Sequence, residues 1–251
     1  MKSFYLTDTG KVREHNEDSV IILKNHHQEY LLAVADGMGG HRAGEVASSI
    51  AISYLAKHFQ ETFYELSRDE AILWINDSVD AINKQIFKYQ ESHEESRGMG
   101  TTLVLALYTK DYLLFGNIGD SSGFVLKNKK LHKVTVDHSL VNLLVEAGEI
   151  TLDEAREHPR RNVLMKALGA SLEIEADIFD CNTDIDGVLL SSDGLTNMLE
   201  VSKIEDIIND SLEIEEKIVK LIQKCNNLGG NDNISIAYLD NIEKEEEGGK
   251  N

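Results

Sequence analysis

The order of periodicities along the chain limits its fold more than any single residue does. Three short runs of β-type pattern come first, SFYLTD, SVIIL and EYLLAVAD. Two helical stripes follow, one through Ala43, Ala47, Ile50, Tyr54 and Phe59, the other through Ile72, Ile75, Val79, Ile82, Ile86 and Tyr89. Apolar residues three and four apart share a helix face, so each stripe predicts a helix with one buried side. Strands return in TTLVLALYT, YLLFGNIGD and SGFVLKNKKLHKVTV, the last with a turn near Asn128, which is hairpin grammar. Residues 139–168 read as short helical pieces and loops around the only proline, Pro159. EIEADIFD and DGVLLSSD predict further strands, 201–209 and 213–224 helices, and NISIAYLD a closing strand. This order lacks the regular βαβα alternation of a doubly wound sheet. It predicts an α+β fold of mainly antiparallel sheets covered by helix pairs, in one domain spanning residues 1–241.

Charge narrows the function. The formal net charge of −19 argues against nucleic acid and against anionic membrane surfaces, both of which call for an excess of Lys and Arg. The acidity is uneven: residues 126–170 hold eight bases and six acids, whereas 171–225 hold 14 acids and four bases. The mildly basic stretch suits contact with an anionic substrate. The end of the chain, residues 242–251, is charged and without apolar spacing, and is expected to be a disordered acidic tail. Two cysteines, Cys181 and Cys225, form no CxxC pair, so neither a disulfide scaffold nor a zinc site is expected. No apolar run reaches the roughly 18 residues of a membrane span, and the N-terminus has no long apolar core of a signal peptide. The expectation is a cytoplasmic monomer.

The chemistry concentrates at strand ends. An apolar strand runs into Asp-Gly at YLLAVA-Asp36-Gly37 and again at GVLLSS-Asp193-Gly194. A carboxylate there sits at the sheet edge, aimed into the space beyond, and the bare glycine lets its backbone carbonyl approach a ligand. Asp120 follows FGNIG in a similar place, Asp232 precedes NISIAYL, and Glu17-Asp18 precede SVIIL. Clustered carboxylates with room for water are what hard cations such as Mg²⁺ and Mn²⁺ require. Two such ions about 3.5–4 Å apart generate a hydroxide nucleophile and neutralise a phosphoryl group.

Two competing motifs fail on context. Gly39–Gly44 has the glycine spacing of a P-loop, but Glu45-Val46 occupy the Lys-Ser/Thr positions, and a glutamate there repels phosphate. Gly119-Asp-Ser121-Ser-Gly123 matches G-x-S-x-G. A nucleophile elbow leads from strand into helix, however, and this sequence leads into a hairpin.

Taken in order, TDTGKVREHNEDS, VADGMGGHRAGEVAS, GMGTTLVLA, GNIGDSSGFVL, LLSSDGLTNML and GGNDNISIAYL resemble the metal-dependent (PPM, type 2C) Ser/Thr protein phosphatases. The likeness runs from about Thr7 to Leu239, and the DGMGGHRAGE form is similar to the compact bacterial branch. The resemblance implies a four-layer α/β/β/α sandwich with Mn²⁺ or Mg²⁺, two ions and in some relatives three, between the sheets. Asp36 would bridge two metals, Asp193 and Asp232 would complete the first site, and the Gly37 carbonyl would hold the second, with Glu17 or Asp18 helping through waters. Asp120 with Asp193 would hold the third. Arg13 matches the phosphate-binding arginine, and Asn233 would support the metal-ligand loop.

The implied reaction is in-line attack by the metal-bridging hydroxide on phosphoserine or phosphothreonine, without a phospho-enzyme. The implied partners are phosphorylated proteins, including a Ser/Thr kinase and its substrates. Eukaryotic members carry a histidine after the Asp-Gly pair as the proposed general acid; here Met38 stands there and His41 is the candidate. The basic stretch coincides with the family's flap, an insertion at about 137–170, where Arg156, Arg160, Arg161 or Lys166 is expected to meet the phosphoprotein, Arg160 and Arg161 above all. The alternatives on the same fold are a non-catalytic metal-binding scaffold and a sigma-factor regulatory phosphatase.

Overall fold

The computed structural model describes residues 1–40 and 43–240. His41 and the acidic segment 242–251 lie outside the described residues.

Two antiparallel sheets form the centre. The first joins β1 (Lys2–Asp8), β11 (Ile234–Asp240), β10 (Gly187–Ser191), β7 (Ser122–Lys127) and β8 (Lys130–Lys133) in that order. The second joins β2 (Asp18–Lys24), β3 (Tyr30–Met38), β5 (Leu103–Tyr108), β6 (Leu113–Ile118) and β9 (Asp177–Cys181), with β4 (Gly100–Thr101) paired to the end of β3. Helices α1 (Ala43–Thr62) and α2 (Arg68–Ser92) cover the second sheet. Helices α5 (Asp193–Thr196), α6 (Val201–Ile208) and α7 (Ile214–Asn227) cover the first.

Strand periodicity builds these layers. Along β3, Leu31, Ala33 and Ala35 pack under α1 and α2, whereas Tyr30, Leu32 and Val34 face the other sheet. Along β11, Ile234, Ile236 and Tyr238 pack toward α6 and α7, whereas Ala237 and Leu239 meet the second sheet. A strand buried on both faces needs apolar residues at every position, which is why YLLAVA and VLLS read as continuous runs. The outcome is the expected four-layer α/β/β/α sandwich.

Some boundaries differ from the reading. EIEADIFD contributes a strand only from Asp177; Glu173 is exposed and Ile174 and Ala176 pack against the helical core instead. The strand carrying Asp36 continues to Met38, so the helix begins five residues after Met38, at Ala43.

Between β8 and β9 the chain forms α3 (Leu140–Glu146) and α4 (Leu152–Glu157), neither with a buried residue. The base of this segment is pinned by main chain: Leu140 N–H donates to Val163 O, Met165 N–H to His138 O, and Leu168 exchanges hydrogen bonds with Thr101. Among the described residues no helix is long and apolar enough to cross a membrane.

Candidate active site

One edge of the sandwich gathers the sequence-predicted carboxylates. Asp36, Asp120, Asp193, Asp232 and Glu17 line a cavity of about 210 Å³ together with Arg13, Gly37 and Met38. Strand register brings Asp18 directly opposite Asp36. Asp18 lies deeper, buried, with Ser192 Oγ donating to its Oδ2 at 2.7 Å.

The glycines of the two Asp-Gly pairs serve the chain itself. A Cβ on Gly37 would fall 2.2 Å from Gly44 O and 2.5 Å from Glu17 O. On Gly194 it would fall 1.9 Å from Asn233 O. What the bare α-carbons admit is neighbouring backbone, which draws three loops around one cavity.

Small polar residues set the carboxylates in place. Thr102 Oγ1 accepts from Asp36 N–H at 3.0 Å, and Thr101 Oγ1 donates to Asp36 O at 2.9 Å. Ser121 is buried and shares a 2.7 Å hydrogen bond with Thr102 Oγ1, a buttress leading into β7, as its failure as a nucleophile elbow anticipated. Asn233 accepts from Glu17 N–H at 2.8 Å and donates to Thr9 O and His15 O at 2.9 and 3.0 Å. It therefore ties the Thr9–Glu17 loop, which carries Arg13, to the Asp232 loop. Arg13 donates to Asp232 Oδ2 at 2.7 Å while half its side chain remains exposed.

Like charge is crowded into the cavity. Burial first, then Asp18, Asp193, Asp120 and Asp232, raise Asp36 well above the usual carboxylate range. Burial pushes Asp18 and Asp120 up to about 7, with Asp193 adding to both. Asp193 rises to about 6 through burial and Asp232, offset by hydrogen bonding to Asp36, the charge of Arg13 and a hydrogen bond from Asn197. Burial raises Glu17 as well, against the pull of Arg13. Like charges crowded out of water resist ionisation, and a divalent cation reverses that logic.

The donor set fits such an ion. Asp18 Oδ1 and Asp193 Oδ1 are buried without a hydrogen-bond partner, an omission that costs about 1–3 kcal/mol per group. Among the described residues, no three His, Cys, Asp or Glu side chains close on one point to hold an ion by themselves. Carboxylate oxygens line the cavity with open space beside them, the donors that hard cations such as Mg²⁺ or Mn²⁺ take along with several waters.

The basic residues of the 137–170 segment divide. Arg156 and Arg161 line a groove of about 540 Å³ that meets the carboxylate cavity at Asp120, Asn162 and Asp193. Arg160 is exposed. Lys166 is paired with Asp177 at 2.7 Å. The reading of the sequence missed Thr101, Thr102, Ser192 and Asn162 as site residues.

Comparison with known proteins agrees with this geometry. Residues 10–224 match the protein phosphatase 2C family. The serine/threonine phosphatase stp of Listeria welshimeri is 42% identical over 241 residues, covering 96% of each chain. The serine/threonine phosphatase Stp1 from Staphylococcus aureus superposes with a TM-score of 0.90 at 34% identity, covering 95% of this chain and 94% of that one. The catalytic domain of the phosphatase PstP, solved in complex with two manganese ions, gives a TM-score of 0.84 at 33% identity, covering 95% and 97%. With residues 10–224 matched by the family and its fold and nearly its whole length in common with these proteins, the chain belongs to the protein phosphatase 2C family.

Proposed function

We propose that this protein hydrolyses phosphoserine and phosphothreonine on other proteins at the Asp36 cavity, with Mn²⁺ or Mg²⁺ as its metal. The observation that carries the assignment is the cavity itself: carboxylates of raised pKa, two of the oxygens unpartnered, beside a half-exposed arginine. In this reading Asp36, the Gly37 carbonyl, Asp193 and Asp232 hold two ions, with Glu17 and Asp18 behind them. Asp120 and Asp193 hold a third.

When bound, the ions supply charge neutralisation for the phosphoryl oxygens and an acidified water able to attack near neutral pH. The chain does the rest. The Arg13 fork matches two phosphate oxygens, a geometry that lysine lacks. Thr101, Thr102 and Asn233 fix the loops, so the charges are in place before substrate arrives and need no reorganisation in the transition state. Met38 lines the cavity but carries no exchangeable proton for the leaving alkoxide, and His41 is the candidate for that role.

The finer reading is a monomer that opposes a Ser/Thr kinase in the cytoplasm. Both cysteines are free thiols, and burial pushes the Cys225 thiol up to about 12, which suits a reducing compartment. The scaffold alternative is disfavoured by the joint presence of Asp36, Asp193, Asp232 and Arg13 around one cavity. Phosphate release from matched phosphoserine, phosphothreonine and phosphotyrosine peptides, with Mn²⁺ and then with chelator, tests the proposal. Turnover of the first two that disappears with chelator supports it. No metal-dependent turnover of any peptide would leave the scaffold reading standing.

A further inference from the structure

His138 stands where the 137–170 segment leaves the first sheet, and both of its ring nitrogens are engaged. The backbone N–H of Gly119 donates to Nδ1 at 3.0 Å, and Nε2 lies 3.0 Å from Asp177 Oδ2. A backbone amide only donates, so Nδ1 carries no proton; the proton is on Nε2, which donates to the carboxylate. The main chain joins in: His138 N–H donates to Gly119 O at 2.9 Å, and His138 O accepts from Met165 N–H at 2.8 Å. One residue thus grips the Gly119 peptide from both sides.

The two partners lead to different places. Gly119 has φ +100°, and a Cβ there would come within 2.5 Å of Thr102 Cγ2, the same threonine that positions Asp36. Its successor is Asp120, which lines both the carboxylate cavity and the flap groove. Asp177 opens β9 and also takes Lys166 Nζ at 2.7 Å. It therefore receives the outgoing limb of the flap through His138 and the returning limb through Lys166.

We propose that His138 is a positioning residue that couples the root of the flap to the placement of Asp120. The inference rests on the reading of the Asp36 cavity as the phosphatase site. With 13% of its side chain exposed, His138 lines neither the cavity nor the groove, and its imidazole acts through Gly119 and Asp177. A shift of the flap root moves the acceptor that holds the Gly119 peptide, and Asp120 with it.

The two bonds can be removed one at a time. Asparagine places a carbonyl oxygen where Nδ1 stands and reaches no further, so His138→Asn keeps the Gly119 bond and loses Asp177. Glutamine places an amide nitrogen where Nε2 stands, so His138→Gln keeps Asp177 and leaves the Gly119 N–H unpaired. The readouts are kcat and KM on an aryl phosphate and on a phosphothreonine peptide, with Mn²⁺ binding by calorimetry.

Loss of an orienting hydrogen bond behind a metal site lowers affinity or activity about 10–100-fold. His138→Gln is expected to lower kcat on both substrates and weaken Mn²⁺ binding at the Asp120 site by at least about tenfold relative to His138→Asn. His138→Asn is expected to show the larger rise in peptide KM. The two variants each remove one hydrogen bond from one side chain, so a general loss of stability cannot give these opposite patterns. Equal losses in both variants, or losses in neither, overturn the coupling. Asp120→Asn is the reference: unchanged activity and Mn²⁺ binding in that variant would locate the failure in the reading of the cavity instead.

Discussion

Asp18 and Asp36 face each other across β2 and β3, a like-charge pairing that a sheet disfavours. Ser192 partners one oxygen of Asp18, and the other is buried without a hydrogen-bond partner. Arg13 is the complement on the rim, held toward the cavity by Asp232. Hydrogen bonds to charged groups are worth about 1.5–3 kcal/mol, so Arg13→Ala should lower kcat/KM on phosphopeptides about 10–100-fold. Arg13→Lys should recover little of it, since one ammonium cannot span two oxygens. Steady-state kinetics on the three proteins decide this, and full rescue by lysine would reduce the arginine to a point charge. Asp36 and Asp193 were legible because Asp-Gly after an apolar run is a distinctive local pattern, and Arg13 only through the family resemblance. Thr101, Thr102 and Ser192 were not, because a threonine beside a strand has no marked partner until register is known; it is the β3–β5 and β5–β6 alignment that brings Thr102 between Asp36 and Ser121.

The elements that make the core announce themselves and the flap does not. Helices α1 and α2 each bury a continuous apolar stripe, and that stripe is what the sequence shows. Helices α3 and α4 bury nothing and depend on caps, Ser139 for the first and a Thr151–Glu154 capping box for the second. Few buried contacts place a segment at the low-stability end of a fold, so here the expectation rested on composition, yet four of the eight bases within residues 126–170, Lys127, Lys129, Lys130 and Lys133, belong to the β7–β8 hairpin. Nor could composition separate Lys166, occupied by Asp177, from Arg161, which lines the groove. Charge reversal at Arg160 and Arg161 together should leave aryl phosphate turnover intact and raise the KM for an acidic phosphopeptide roughly tenfold, with the effect fading at high salt. Unchanged peptide kinetics would show that the groove does not receive the polypeptide.

Across the whole molecule, a net charge of −19 conceals a division between acids on the surface and acids in the cavity. Asp18 and Asp120 titrate at about 7 and Asp193 at about 6 in the metal-free fold, against about 3.9 in the unfolded chain. Between those values the folded protein holds protons that the unfolded chain has released. The stability these groups contribute is therefore full below about pH 4 and is lost as pH rises toward about 7. Metal binding requires the ionised carboxylates and releases those protons. A fixed Mn²⁺ concentration, set at about 100 times the Kd measured at pH 7.5, should raise Tm by about 5–10 °C near pH 7.5 and by less than half of that near pH 5.5, as read by calorimetry. An equal shift at both values would place the ion elsewhere. The most direct test of the account is phosphate release from a phosphothreonine peptide as a function of Mn²⁺, for the native chain and for Asp36→Asn, which removes one charge from the crowded set without changing its shape. The account predicts turnover that rises from nothing with Mn²⁺ in the native protein and falls by at least about 10²-fold in the variant at every concentration. Turnover that survives chelation, or an Asp36→Asn protein that responds to Mn²⁺ as the native chain does, would contradict it.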